Sequence, residues 1–397
     1  MKKNRDIRLG IYFILVLFTG LVAQPIENKK ELKGSKKALL ITSTFPTYTT
    51  QIMTMIMMLN QIGYEASVYV TKIFCSKTHD IMNLYKDLGI VDVYDRIYYP
   101  NQSTTVINKL RQGYFDLVMG MQGERAVEFA QIKKENNLNF YLLARYTGAD
   151  ISSNHEQKKK NLEMYGKYID QFLPVSGCLR TLLIEAGIPK KKITVLPTPT
   201  ILSLFSPQAD NKREDEFRVL SVGRLIEKKG FDCAIRAFAE LTKVYPFIFY
   251  DIVGDGVEKN ALSKLIKDLG CQKNVRLLGK VFLSRLPAIY SQADLLLVPS
   301  RIGKSGNREG IARVAKEAMA MNVPVVATDC SGVQEMVTHK ESGFIIRPDM
   351  ERDIMEIITY ILSHRYLLKD ITGKARKIIV DKHSVEAATS LLKAIIS

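Results

Sequence analysis

The chain is poor in the residues from which metal and redox sites are built. Its five cysteines (Cys75, Cys178, Cys233, Cys271 and Cys330) are scattered, with no C-x-x-C pair. That pattern excludes a zinc ribbon or a thioredoxin-type centre, and it reads as reduced, buried thiols. The five histidines form no cluster, and no H-E-x-x-H occurs. Neither G-x-x-x-x-G-K-[ST] nor G-x-G-x-x-G is present, so the sequence carries no P-loop and no dinucleotide fingerprint. No nucleic-acid-binding motif turns up either, and nucleic acid is not expected as a partner.

What is present is ordinary globular material. The 397 residues are 46% hydrophobic and 25% charged, a length and balance that suggest two domains, each able to bury a core. Lysine and arginine outnumber aspartate and glutamate by 57 to 41, a net charge of +16, which favours phosphorylated ligands or acidic lipid surfaces. Residues 1–36 read as an extension outside the fold. Lys2, Lys3, Arg5 and Arg8 precede an apolar run over 9–23. At about 15 residues the run is shorter than the ~20 a spanning helix needs. It fits a signal-peptide core or a membrane-surface anchor, and the lysines that follow it (Lys29, Lys30, Lys33, Lys36 and Lys37) oppose translocation.

From residue 37 the pattern alternates between short apolar runs and helical stretches. Strands are predicted at 38–42, 66–70, 116–119, 140–144, 172–175 and 193–196, because apolar runs bounded by polar turns suit buried parallel strands. A helix over 49–62 carries Met53, Met55, Met57 and Met58 around most of its circumference, the mark of a helix buried between layers. After a first domain over 37–200, prolines and the charged stretch 210–216 suggest a linker over 201–216. Alternation resumes in a second domain over 217–380, with strands at 217–222, 249–253, 275–278, 295–298 and 323–327. A last helix, within 381–397, is placed to pack back across the hinge. Two successive α/β units with parallel sheets imply a ligand cleft between Rossmann-like domains, at the carboxyl ends of the strands.

The polar signals of the second domain fall at those strand ends. Gly223 and Arg224 follow one strand, and Lys228-Lys229-Gly230 opens the next helix. A glycine lets backbone approach a ligand, while arginine and lysine on one loop suit a diphosphate. Gly254-Asp255-Gly256 makes a second tight strand-to-helix turn. Glu309-Gly310-Ile311-Ala312 is expected to open a helix whose free N–H groups favour phosphate. Glu309 would sit at its mouth, and Glu317, about two turns in, on the same side of the cleft. Each carboxylate can accept hydrogen bonds from vicinal sugar hydroxyls.

These stretches, with Glu317-Ala318-Met319-Ala320, Pro324-Val325-Val326-Ala327-Thr328 and Ser342-Gly343-Phe344, resemble glycosyltransferase family 4, in its exopolysaccharide and lipopolysaccharide branch. The resemblance covers nearly all of 217–348. It implies a GT-B fold and a retaining, metal-independent hexosyltransferase, with a UDP- or GDP-linked sugar as co-substrate and no other cofactor. The acceptor would be a cell-surface glycan or glycolipid, reached at an anionic membrane surface with the catalytic domains facing the cytoplasm. By the same resemblance, Gly223, Arg224, Lys229, Gly310 and Ile311 surround the donor, with Arg224 and Lys229 on its diphosphate. Glu317 takes the ribose, and Glu309 the transferred sugar near its reacting carbon. The lack of a D-x-D sequence agrees with the absence of a metal.

The first domain is similar to the family more faintly, through Phe45-Pro46 after the first strand and Thr147-Gly148 followed by Asp150. The family places a histidine where Thr147 stands, and proline where Ala312 stands. Two other functions share the fold: a sugar-nucleotide epimerase, and a nucleotide-sugar-binding protein that has lost transfer.

Overall fold

The structure is a computed structural model that describes residues 35–43, 50–71, 79–88, 90, 96–208, 213–304, 306, 309–330 and 332–397. The apolar run 9–23 and the pair Phe45-Pro46 lie outside them. Among the described residues, no helix is long and apolar enough to cross a membrane.

Two six-stranded parallel sheets form the framework. The first holds β1 (Lys36–Thr42), β2 (Tyr64–Val70), β3 (Ile97–Tyr98), β4 (Leu117–Gly120), β5 (Tyr141–Tyr146) and β6 (Gln171–Pro174), in the order β3-β2-β1-β4-β5-β6. The second holds β7 (Phe217–Val222), β8 (Ile248–Val253), β9 (Val275–Gly279), β10 (Leu295–Val298), β11 (Val325–Thr328) and β12 (Phe344–Ile346), in the order β12-β11-β10-β7-β8-β9. In each sheet the order reverses beside the first strand, and the loops leaving the strands there open a crevice. β4, β10 and β11 are buried along their whole length, as continuous apolar runs covered by helices on both faces must be.

The predicted strand at 193–196 is not a sheet member. Thr194 N–H and Leu196 N–H donate to the carbonyls of Phe172 and Pro174, and only one bridge, Phe172 to Ile193, forms. Pro174 has no N–H to give, so the ladder lacks a donor. β11 also begins two residues later than expected, at Val325.

The connection after 196 is not simply a solvated tether. Ile201 and Phe205 are buried and belong to an apolar cluster that runs from Met53 and Leu59 through to Tyr290, Ala315 and Leu392. Met53, Met55 and Met58 of helix Thr50–Gln61 are buried in the same cluster. The final helix, Val385–Ile396, packs on Thr50–Gln61, and Thr389 Oγ1 donates to Gln61 Oε1 at 2.8 Å. The chain therefore returns to its first domain after building its second.

Backbone packing at the strand ends is tight enough to measure. A Cβ on Gly254 would lie 1.8 Å from the Gly223 carbonyl oxygen, whereas one on Gly187, at φ +84, would meet nothing within 4 Å. Gly254→Ala is expected to cost about 3 kcal/mol or more, and Gly187→Ala only the backbone strain of ~1–2 kcal/mol. Urea unfolding of the two variants checks this, and equal losses would contradict the packing described.

Candidate active site between the domains

The site grows from a close approach of two loops. After β7 the chain makes one 3₁₀ turn, Glu227–Lys229, and enters helix Phe231–Val244 through Gly230 at φ +66. A Cβ on Gly230 would lie 2.0 Å from the Pro299 carbonyl oxygen, and Arg301 N–H donates to Lys228 O at 2.8 Å. The loops after β7 and β10 are thus fastened backbone to backbone. Lys228 Nζ and Lys229 Nζ consequently reach one oxygen, Glu309 Oε1, at 3.0 and 3.2 Å. Burial alone would raise the Glu309 carboxyl, but the two ammonium groups outweigh it and hold the pKa at about 2. Glu309 is a carboxylate at any physiological pH. The Lys229 side chain is only 13% exposed. Arg224 does project into solvent.

Glu309 does not open a helix. The helix begins four residues later, as Arg313–Ala320, after an extended Ala312. The intervening backbone is committed elsewhere, because Gly310 O accepts from Gly332 N–H at 2.8 Å. Gly310 also abuts the first domain, where an added Cβ would fall 2.7 Å from Thr147 O and 2.8 Å from Val175 Cγ2. Only glycine fits there. Ile311 is buried beside it.

Opposite Gly310, Asp150 shapes the Thr147-Gly148 turn. Its carboxylate accepts from the N–H groups of Thr147 (2.9 Å), Gly148 (2.8 Å) and Gly123 (3.2 Å). Burial pushes this carboxyl up, and the three backbone donors oppose the shift. A second bridge between domains lies nearby: Glu335 Oε1 accepts from Gly177 N–H at 2.8 Å, at the start of helix Gly177–Glu185. The structure thus gathers Gly223, Lys229, Glu309, Gly310, Ile311, Thr147 and Gly148 around one interdomain contact.

Glu317 is turned differently. It is 6% exposed, and Tyr290 Oη donates to its Oε2 at 2.9 Å. Burial raises its carboxyl, against Arg313, the Tyr290 hydroxyl, Lys316 and Lys229. Lys229, which pairs with Glu309, favours the Glu317 carboxylate only from a distance and as the smallest of these effects. Glu317 lines a narrow cleft with Thr50, Thr200, Arg313 and Lys316.

Three residues of this region escaped the sequence reading of the site, Tyr290, Arg145 and Lys316, and Lys228 was named there only as the neighbour of Lys229. Arg145 and Lys316 are each 1% exposed and meet at Thr198, the first donating to its Oγ1 at 2.8 Å and the second to its carbonyl. A basic residue inside the apolar stretch 142–146, and another within the buried face beside Glu317, were the available signals. Among the described residues, no group of His, Cys, Asp and Glu could hold a metal ion.

The fold and these strand-end loops define a GT-B protein. Residues 204–378 match the family of glycosyl transferases group 1, and that segment belongs to it. The chain is 33% identical over 220 residues to the amylovoran biosynthesis glycosyltransferase AmsK of Erwinia amylovora, covering 55% of this chain and 54% of AmsK. It is 30% identical over 194 residues to the GDP-mannose-dependent alpha-(1-6)-phosphatidylinositol monomannoside mannosyltransferase of Mycolicibacterium smegmatis, covering 47% of this chain and 51% of that protein. The chain spans about half the length of these curated relatives. The crystal structure of Anabaena Alr3699/HepE with UDP covers 91% of this chain and 99% of its own, with a TM-score of 0.72 at 20% identity.

Lys316 gives the cleft a pH signature. Burial, with repulsion from Arg313 and Arg145, lowers its pKa from 10.5 to about 7. Between those values the unfolded chain binds the extra proton, so stability rises with pH across the window. Thermal unfolding at pH 7, 8 and 9 should show the rise, and Lys316→Met should flatten it while raising the midpoint at pH 7. Equal slopes in the two proteins would contradict the burial of this ammonium.

Proposed function

We propose that the protein is a retaining, metal-independent glycosyltransferase that moves a hexose from a nucleotide sugar to a cell-surface glycan or glycolipid. The observation that carries this reading is the permanently ionised Glu309, held by two lysines where Gly310 meets Thr147. That arrangement suits a reaction in which a diphosphate departs with negative charge while the anomeric carbon turns positive. Lys228, Lys229 and Arg224 take up the charge on the leaving group. Glu309, released from the lysines by the incoming diphosphate, orients the sugar and supports positive character at its reacting carbon. The acceptor hydroxyl attacks from the face the diphosphate leaves, and its proton passes to the departing diphosphate, which preserves the anomeric configuration.

On this reading Glu317 accepts the ribose hydroxyls in place of the Tyr290 hydroxyl. Two donor nucleotides, UDP and GDP, have support: Alr3699/HepE was crystallised with UDP and with UDP-glucose, and the mycobacterial relative is named for GDP-mannose. AmsK is named for exopolysaccharide synthesis, which supports a surface-glycan acceptor. Attachment to the cytoplasmic face of a membrane would come from the run 9–23 and the +16 charge.

Lys229→Ala is expected to weaken UDP binding by ~1.5–3 kcal/mol, the range for hydrogen bonds to charged groups, and Glu317→Ala to weaken it as well. Calorimetry reads both, and unchanged affinity in both would sink the donor assignment. The binding-only alternative turns on Thr147. A shorter hydroxyl in place of a histidine slows transfer without abolishing it, so the unmodified protein should hydrolyse or transfer UDP-glucose in the presence of EDTA. Activity that appears only after Thr147→His would establish the alternative.

A further inference from the structure

The turn that carries Thr147 and Asp150 also walls a second concavity. It is a cavity of about 310 Å³ between helices Gly123–Glu135 and His155–Tyr165 of the first domain. That volume is at the lower end of small-molecule sites, which run from about 300 to 1,000 Å³. Asp150 belongs both to this wall and to the turn that meets Gly310. Three residues of extended chain span at most ~11 Å, so cavity and reacting centre are near neighbours.

The charges around the cavity are already matched. Arg125 pairs with Glu128 at 2.5 Å, Lys158 pairs with Glu124 at 3.2 Å, and Asp150 is held by backbone N–H groups. Such a lining offers no surplus for an anion. It offers fixed donors and acceptors, with the amides of Gln131 and Asn161 and the half-buried ring of Tyr165. Paired charges, amides and an aromatic face together suit a ring of hydroxyls.

We infer that this cavity binds a neutral hexose unit of the acceptor glycan, next to the unit that receives the transferred sugar. The inference rests on the glycosyltransferase reading and assigns the acceptor side that reading leaves blank. A glycan held here would run past Asp150 toward Thr147 and Glu309.

The test uses the full chain and measures UDP, cellobiose, maltose, lactose and inorganic phosphate binding by calorimetry and saturation-transfer NMR. At least one of the neutral disaccharides is expected to bind. Gln131→Leu and Asn161→Leu should each weaken it about 5- to 10-fold, the effect of losing one hydrogen bond, with the UDP affinity unchanged. UDP binding with no disaccharide binding, or disaccharide binding that survives both variants, would overturn the inference and leave the donor reading intact. Phosphate competing with the disaccharide would overturn it too, in favour of an anion site. Failure of UDP itself to bind would remove the glycosyltransferase reading first.

Discussion

Two lysine ammonium groups share one carboxylate oxygen, and the packing of two loops of the second domain keeps them there. Lys228 and Lys229 lie on the loop after β7, and Glu309 follows β10. Sequence separates them by some eighty residues. What brings them together is the contact of Gly230 with Pro299 and the bond from Arg301 to Lys228. Burying three charges is unfavourable unless they satisfy one another, and removing one partner leaves the rest exposed to that cost. The cluster has a net charge of +1, so it compensates itself only in part.

The domains meet through small groups. Gly310 presses on Thr147 O, Gly332 would meet Ser176 if it carried a Cβ, and Glu335 caps helix Gly177–Glu185. At the hinge, Arg145 and Lys316 reach the same residue, Thr198, from opposite domains. Each repels the other, and Glu317 offsets only part of that. The apolar cluster through Ile201 and Phe205, together with helix Val385–Ile396, carries the attraction that this polar hinge lacks.

Much of the fold was legible because its strands are buried apolar runs. The strands at 217–222 and 295–298 begin and end where the pattern puts them. β3 and β12 were missed because two or three residues at a sheet edge carry no period. The motifs located Glu309, Gly310, Lys229 and Thr147, which do converge. They could not show that Glu309 stands outside the helix, because the Gly332 N–H that engages the Gly310 carbonyl comes from another loop. Tyr290 was invisible for a similar reason: its role depends on meeting Glu317, 27 residues away. Lys228 was read as one half of a dibasic pair, and only the fold shows both lysines on one oxygen.

The proposed chemistry requires that Glu309 serve the sugar rather than the nucleotide. Glu309→Gln, assayed for UDP binding by calorimetry and for UDP-glucose turnover on the same preparation, separates the two roles. Without its charge the side chain no longer competes for the lysines. UDP should therefore bind at least as tightly as to the unmodified protein, while turnover falls by ~100-fold or more, as when a group that stabilises developing charge is lost. A variant that binds UDP poorly, or one that turns over UDP-glucose at the original rate, would contradict it.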